Sequence, residues 1–209
     1  MLSPIYKHGK KDNIIPFQQV KQKVIAANLS IFDEAFFWML YYCGVRKSEA
    51  YERVANDFET TDTHIIIDFH QRKKHGAKVP PLKLPLSWYG MDKLEYAVQK
   101  AKERKPRKKA VYVYIDHKRT RQQKRDRWVF PKIQSTKAWT IVKSVLGEGY
   151  YPHFLRLNRL TEIGRDPTAS LTRLKSWSGI KSTTALNEYL GASEKEQAKA
   201  VEFMDRQYS

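Results

Sequence analysis

Three short segments of the 209-residue chain carry side chains that could act on a phosphate. Gly44-Val45-Arg46-Lys47-Ser48-Glu49 sets an arginine between a glycine able to end one helix and the first turn of another. Glu49 can pack under that guanidinium and hold it rigid. Pro152-His153-Phe154-Leu155-Arg156 places a histidine and an arginine three apart at a helix start. Their side chains then share a face, and one turn presents a proton carrier and a fixed cation to a single phosphate. Tyr189 lies near the end of a polar helical segment, Thr183 to Leu190. A tyrosine hydroxyl, with a reference pKa near ~10, becomes a useful nucleophile only where neighbouring cations favour its deprotonated form. Taken singly, each segment has a commoner reading: a surface ion pair, a helix-start cap with a solvent-facing charge, and a core-anchoring aromatic.

Helices must carry these residues. From Pro16 to about Asn28, Val20, Val24 and Ile25 recur at helical spacing. A second helix is capped by Ser30, has Glu34 in its first turns and stops at Gly44. Ser48 to Asn56 reads as a further short helix. Thr63 to Phe69 is β-branched and aromatic, Gln71 to Lys78 is a basic turn containing Gly76, and Val79 to Pro85 is a short proline-tolerant edge strand. Together they predict a small antiparallel sheet with a charged tip. Helix returns at about Ser87 to Arg104.

Between Lys102 and Arg127 stand twelve Lys or Arg and three acidic residues. The stretch reads as a basic loop flanking a short strand, Ala110 to Ile115. Its Lys108, Lys109, Lys118, Arg119, Arg121, Lys124 and Arg125, with Lys73 and Lys78 of the earlier turn, are candidate phosphate contacts; a solvated loop is the bland alternative. Helical patterns follow at about Thr136 to Leu146, Phe154 to Ile163, Ala169 to Trp177, Thr183 to Leu190 and Glu194 to Arg206. Ser193 and Glu196 form a capping box for the last. The predicted fold class is mainly α with a small antiparallel β-sheet (α+β). Residues 1–15 read as a flexible basic arm, 16–193 as one domain and 194–209 as a C-terminal helix.

The 39 Lys and Arg against 22 Asp and Glu give a formal charge of +17 and a pI near 9.8, which points to a polyanionic partner. Solubility alone, or a ribosome-like or membrane-surface habit, would also use such charge. Cys43 is the single cysteine, so no intramolecular disulfide can form and an intracellular location is expected. The apolar run Phe36 to Cys43 is bounded by Asp33-Glu34 and Arg46-Lys47, far short of the roughly 18 to 20 residues of a membrane span.

In order, the chain reads Gly-x-Arg-x-x-Glu, a lysine-bearing β-turn, His-x-x-Arg, Trp177 followed by Ile180-Lys181-Ser182-Thr183-Thr184, and Tyr189-Leu190. From about Ile15 to Ser193 this order resembles the catalytic domain of the tyrosine recombinases, the phage integrase and Xer family. The resemblance implies that Arg46 and Arg156 clamp the non-bridging oxygens of a scissile DNA phosphate, with Glu49 in support. Lys74 would protonate the 5′-oxygen leaving group, with Lys73 and Lys78 as competitors. His153 would be the acid/base partner, Trp177 would fill the family's His-or-Trp position, and Tyr189 would form a 3′-phosphotyrosyl link. It also implies double-stranded DNA as partner, self-assembly on it as dimer or tetramer with the C-terminal helix exchanged in trans, no membrane, and no metal or nucleotide cofactor.

Departures exist. Tyr189 lies twelve positions after Trp177, where the family's gap is roughly nine. Either a short insertion precedes it or the nucleophile is lost; Ile180 is the alternative to Trp177, and Leu157 stands where many relatives have a second histidine. An inactive DNA-binding protein of the same fold, or a type IB topoisomerase-like relaxing enzyme, are the competing functions. Where most of the family has an N-terminal DNA-gripping domain, about fifteen polar residues precede the first helix here, so either an excised catalytic domain or a naturally short enzyme is expected, with steeply salt-sensitive DNA binding through its own basic surface.

Overall fold

The apolar run of the second helix becomes the centre of the molecule. A computed structural model describes residues 14–69, 81–115 and 118–165, with Ser170, Thr172, Leu174 and Lys175. Helix α2 (Ile31–Cys43) starts where the Ser30 Oγ accepts the Asp33 N–H at 3.3 Å. Asp33 and Glu34 in its first turn complement the helix dipole. Every residue from Ala35 to Cys43 is buried, so beyond its first turn this helix has no solvent face and the others pack around it. Trp38 lies at 0% exposure among Phe37, Tyr41, Tyr42 and Tyr89, stacked on Tyr42 with centroids 5.5 Å apart. Burial of each such side chain contributes about 1.5 to 3 kcal/mol.

Helices α4 (Met91–Glu103) and α6 (Pro152–Arg165) pack directly on α2, while α1 (Phe17–Ala27) packs against α5 (Ser135–Leu146). Helix α5 buries Ala138, Ile141, Val142, Val145 and Leu146, a stripe at helical spacing. Helix α4 begins at Met91 and not at Ser87, because Gly90 takes the left-handed conformation (φ 81°) and a Cβ there would strike the Trp38 indole. The short helix after Gly44 is α3 (Lys47–Tyr51), and the expected Ser48 to Asn56 helix is broken by a separate 3-10 turn, Ala55–Asp57. Ile15 is already packed into the core, with its N–H given to the buried Asn158 Oδ1 at 2.9 Å.

Among the described residues two sheets form where one was expected. Strands β1 (Phe58–Thr60), β2 (His64–Ile67) and β3 (Leu82–Pro85) run antiparallel in that order, with Ile65, Ile67, Leu82 and Leu84 turned into the core. β1 is additional to the predicted hairpin. The second sheet is a ribbon of β4 (Arg107–Ile115) and β5 (Lys118–Asp126), nine residues each. The sequence Lys118 to Asp126 has no apolar alternation, which is why it reads as a loop; pairing with β4 makes it a strand.

Candidate active site

Gly44 ends α2 in the left-handed region (φ 58°), giving its N–H to Leu40 O at 3.1 Å. Its carbonyl oxygen accepts Nη1 of Arg156 at 2.6 Å. Arg156 is 3% exposed and Gly44 packs against α6, with an added Cβ lying 3.5 Å from the Arg159 side chain. A charged donor held at that distance fixes the guanidinium rigidly. Two residues beyond Gly44, Arg46 is extended and caps α3. The Glu49 carboxylate accepts both the Arg46 N–H at 2.8 Å and its Nη1 at 3.0 Å. The Arg46 side chain is 51% exposed, so the braced cation faces solvent. The two predicted arginines are thus joined through three residues of backbone.

One turn further along α6, Tyr41 donates its hydroxyl to Glu162 Oε1 at 3.0 Å, and Arg159 Nη1 reaches Glu162 Oε2 at 3.4 Å. Burial pushes the Glu162 carboxyl up, and burial together with the Glu162 charge pushes the Tyr41 hydroxyl up. Tyr41 therefore stays a donor and ties α2 to α6 beside the arginine pair.

His153 and Arg156 stand three positions apart on α6 and differ in exposure. Arg156 turns under Gly44, while His153 stays at the surface. The His153 ring lies parallel to Tyr151 (6.3 Å, 7°), Tyr151 stacks on Trp139 (5.5 Å, 24°), and Lys47 Nζ sits 5.2 Å from the Trp139 ring centroid. This line of rings leads from the neighbour of Arg46 to His153. Sequence reasoning missed Lys47, Trp139 and Tyr151. The available signal was Trp139 itself, an aromatic on α5 outside the buried stripe and 39% exposed.

Among the candidate phosphate contacts, Lys108, Arg121, Lys124 and Arg125 are exposed on the ribbon. Lys118 and Arg119 occupy the first two positions of β5. Lys109 requires correction. It is 5% exposed, and its Nζ donates to Tyr51 O at 2.6 Å and Phe130 O at 2.7 Å, between the rings of Tyr51 and Trp128. Burial pushes its ammonium down to about 7. It bolts the ribbon to the last residue of α3 and does not face a ligand. Lys73, Lys74, Lys78, Trp177 and Tyr189 lie outside the described residues, as do the predicted helices at 183–190 and 194–206. Of the predicted Ala169 to Trp177 helix, Thr172, Leu174 and Lys175 are helical.

No protein-family model and no curated protein sequence matches the chain. Solved structures do. XerH site-specific recombinase bound to its difH substrate, in a pre-cleavage complex, superposes with a TM-score of 0.59 over 87% of this chain at 15% identity. The chain has a tyrosine recombinase-like fold. The same recombinase on palindromic difH, post-cleavage, gives 0.62 over 94% of the chain at 14% identity, and XerA recombinase gives 0.60 over 95% at 13%. The chain spans 50%, 54% and 65% of those three structures. Within this recombinase-like fold the mainly α class with small antiparallel sheets stands as expected, and no helix of the described residues is long and apolar enough to cross a membrane.

Proposed function

We propose that the chain is the catalytic part of a site-specific DNA recombinase that cleaves and rejoins strands through a 3′-phosphotyrosyl intermediate. The observation that carries the reading is the bond from Arg156 to the Gly44 carbonyl, which links one fixed guanidinium to the Glu49-braced Arg46. Two pre-set cations suit a phosphodiester whose negative charge grows in the transition state, because they need not reorganise as it does.

In this reading Arg46 and Arg156 hold the non-bridging oxygens. Tyr189 attacks phosphorus, with His153 as acid/base partner and Trp177 beside the phosphate. The P–O bond to the 5′-oxygen breaks, and that oxygen takes a proton from Lys74, or from Lys73 or Lys78 of the same turn. The phosphotyrosyl ester keeps the energy of the broken bond, so attack by a 5′-hydroxyl restores a phosphodiester and releases Tyr189. Double-stranded DNA is the substrate, bound by copies of the chain assembled on it.

A second reading is favoured by one feature, the twelve-residue step from Trp177 to Tyr189: a DNA-binding protein of this fold without strand cleavage. A nicked suicide substrate bearing the recognition sequence separates the two. The proposal expects a covalent protein–DNA adduct that is lost in Arg46→Ala and Arg156→Ala while DNA binding persists. Binding by the wild type with no adduct supports the second reading.

A further inference from the structure

The ribbon has two chemically different faces, and strand register assigns them. Side chains alternate along each strand, and paired positions share a face. Lys109 pairs with Lys124 and Val111 with Gln122. Lys109 and Val111 are buried, Val111 against Val54 and Trp128, so this face is turned to the body at its base. It also carries Asp126, which neutralises Lys124 at 3.2 Å. The other face holds the pairs Lys108 with Arg125, Ala110 with Gln123, Tyr112 with Arg121, and Tyr114 with Arg119. Lys108, Arg121, Gln123 and Arg125 are exposed there, and no carboxylate stands at these positions. The body-facing positions hold as many cations, with Arg107 and Lys124 exposed among them, so the faces differ in contact and in the carboxylate of Asp126.

We propose that this outward face lies in the major groove of duplex DNA and sets where the site is placed on the duplex. The inference rests on the reading of the chain as DNA-acting. A two-stranded ribbon fits a groove about 12 Å wide, and nine residues at about 3.4 Å each give it reach along the duplex. Arginine and glutamine are the side chains that pair with purine edges there, while Lys108 and Arg125 at the base meet phosphates. The base is rigid. Trp128 Nε1 donates to Arg107 O at 2.7 Å, Ala55 N–H to Arg127 O at 2.8 Å, Arg125 Nε to Pro106 O at 3.2 Å, and Lys109 spans to Tyr51 O. Since Tyr51 ends the helix that Arg46 begins, the depth of the ribbon in a groove fixes the height of Arg46 over the backbone.

Two measurements on the full chain test this. In the first, binding to a duplex is titrated with salt for Lys108→Ala/Arg119→Ala/Arg121→Ala and for Arg107→Ala/Lys118→Ala/Lys124→Ala, which removes equal charge from the other face. The outward variant should bind at least roughly tenfold more weakly, with a log–log salt slope shallower by about 2.7, while the other stays within about threefold. Equal losses from both faces, or no loss from the outward one, overturn the proposal. In the second, wild-type protein on duplex is challenged with methyl green, a major-groove ligand, and with distamycin, a minor-groove ligand. Displacement by methyl green alone is expected, and displacement by distamycin alone overturns the groove assignment. Face-specific binding without any adduct on the suicide substrate would spare this inference and end the recombinase reading; an adduct with face-independent binding would do the reverse.

Discussion

The junction of α2, α3 and α6 and the β4–β5 ribbon are both rich in cations, and they use them in opposite ways. At the junction Arg156 is enclosed and bonded to Gly44, and Arg46 is clasped by Glu49, so hydrogen bonds fix where each charge sits. On the ribbon Arg121 stands in solvent on a strand held mainly by backbone pairing. Lys108 and Lys109 show the same contrast between adjacent residues, one exposed and one spent on two carbonyls. Net charge marks a chain as a partner for polyanions, but the bonding of each cation decides whether its position is fixed, as for Arg46 and Arg156, or left to adjust, as for Arg121.

The contrast can be broken at its strongest point first. Arg156→Leu removes a charged donor and strands the Gly44 carbonyl, so about 2 to 3 kcal/mol of stability should be lost in urea unfolding. Arg121→Ala should stay within about 0.5 kcal/mol. Similar losses for the two would erase the distinction. Lys109→Met is the next test. Between pH 7 and pH 9 the unfolded Lys109, with a reference pKa near ~10.4, keeps its proton while the folded one, near 7, has released it. The unfolded state then binds more protons, so wild-type stability should rise with pH across that window. The Lys109→Met slope should be flatter, and an unchanged slope would show that Lys109 stays charged when buried. The smallest effect belongs to the ring line: Tyr151→Ala should cost about 1 kcal/mol and slow adduct formation through a less ordered His153. An unaltered adduct rate would mean that the stack serves stability only.

Much of this was legible in the chain. The Ser30 cap and the Gly44 stop bounded α2 within a residue, because both signals are local and follow from backbone chemistry. The Arg46–Glu49 brace was legible for the same reason. The ribbon was not: its second strand has no side-chain periodicity, and only pairing with β4 makes it a strand. Lys109 was misread as a surface contact because its two acceptors, on Tyr51 and Phe130, are distant in sequence and are backbone atoms that no motif records. The inward turn of Arg156 depends on the carbonyl of Gly44, 112 positions away, which spacing within α6 cannot reveal.

On the proposed reading, the braced arginines serve a tyrosine that attacks DNA. Mass-spectrometric mapping of the wild-type protein trapped on a suicide duplex tests it most directly. One nucleotide-bearing peptide is expected, modified at Tyr189 and missing in Tyr189→Phe. A covalent link at another tyrosine, or a bound duplex with no covalent link, would contradict it.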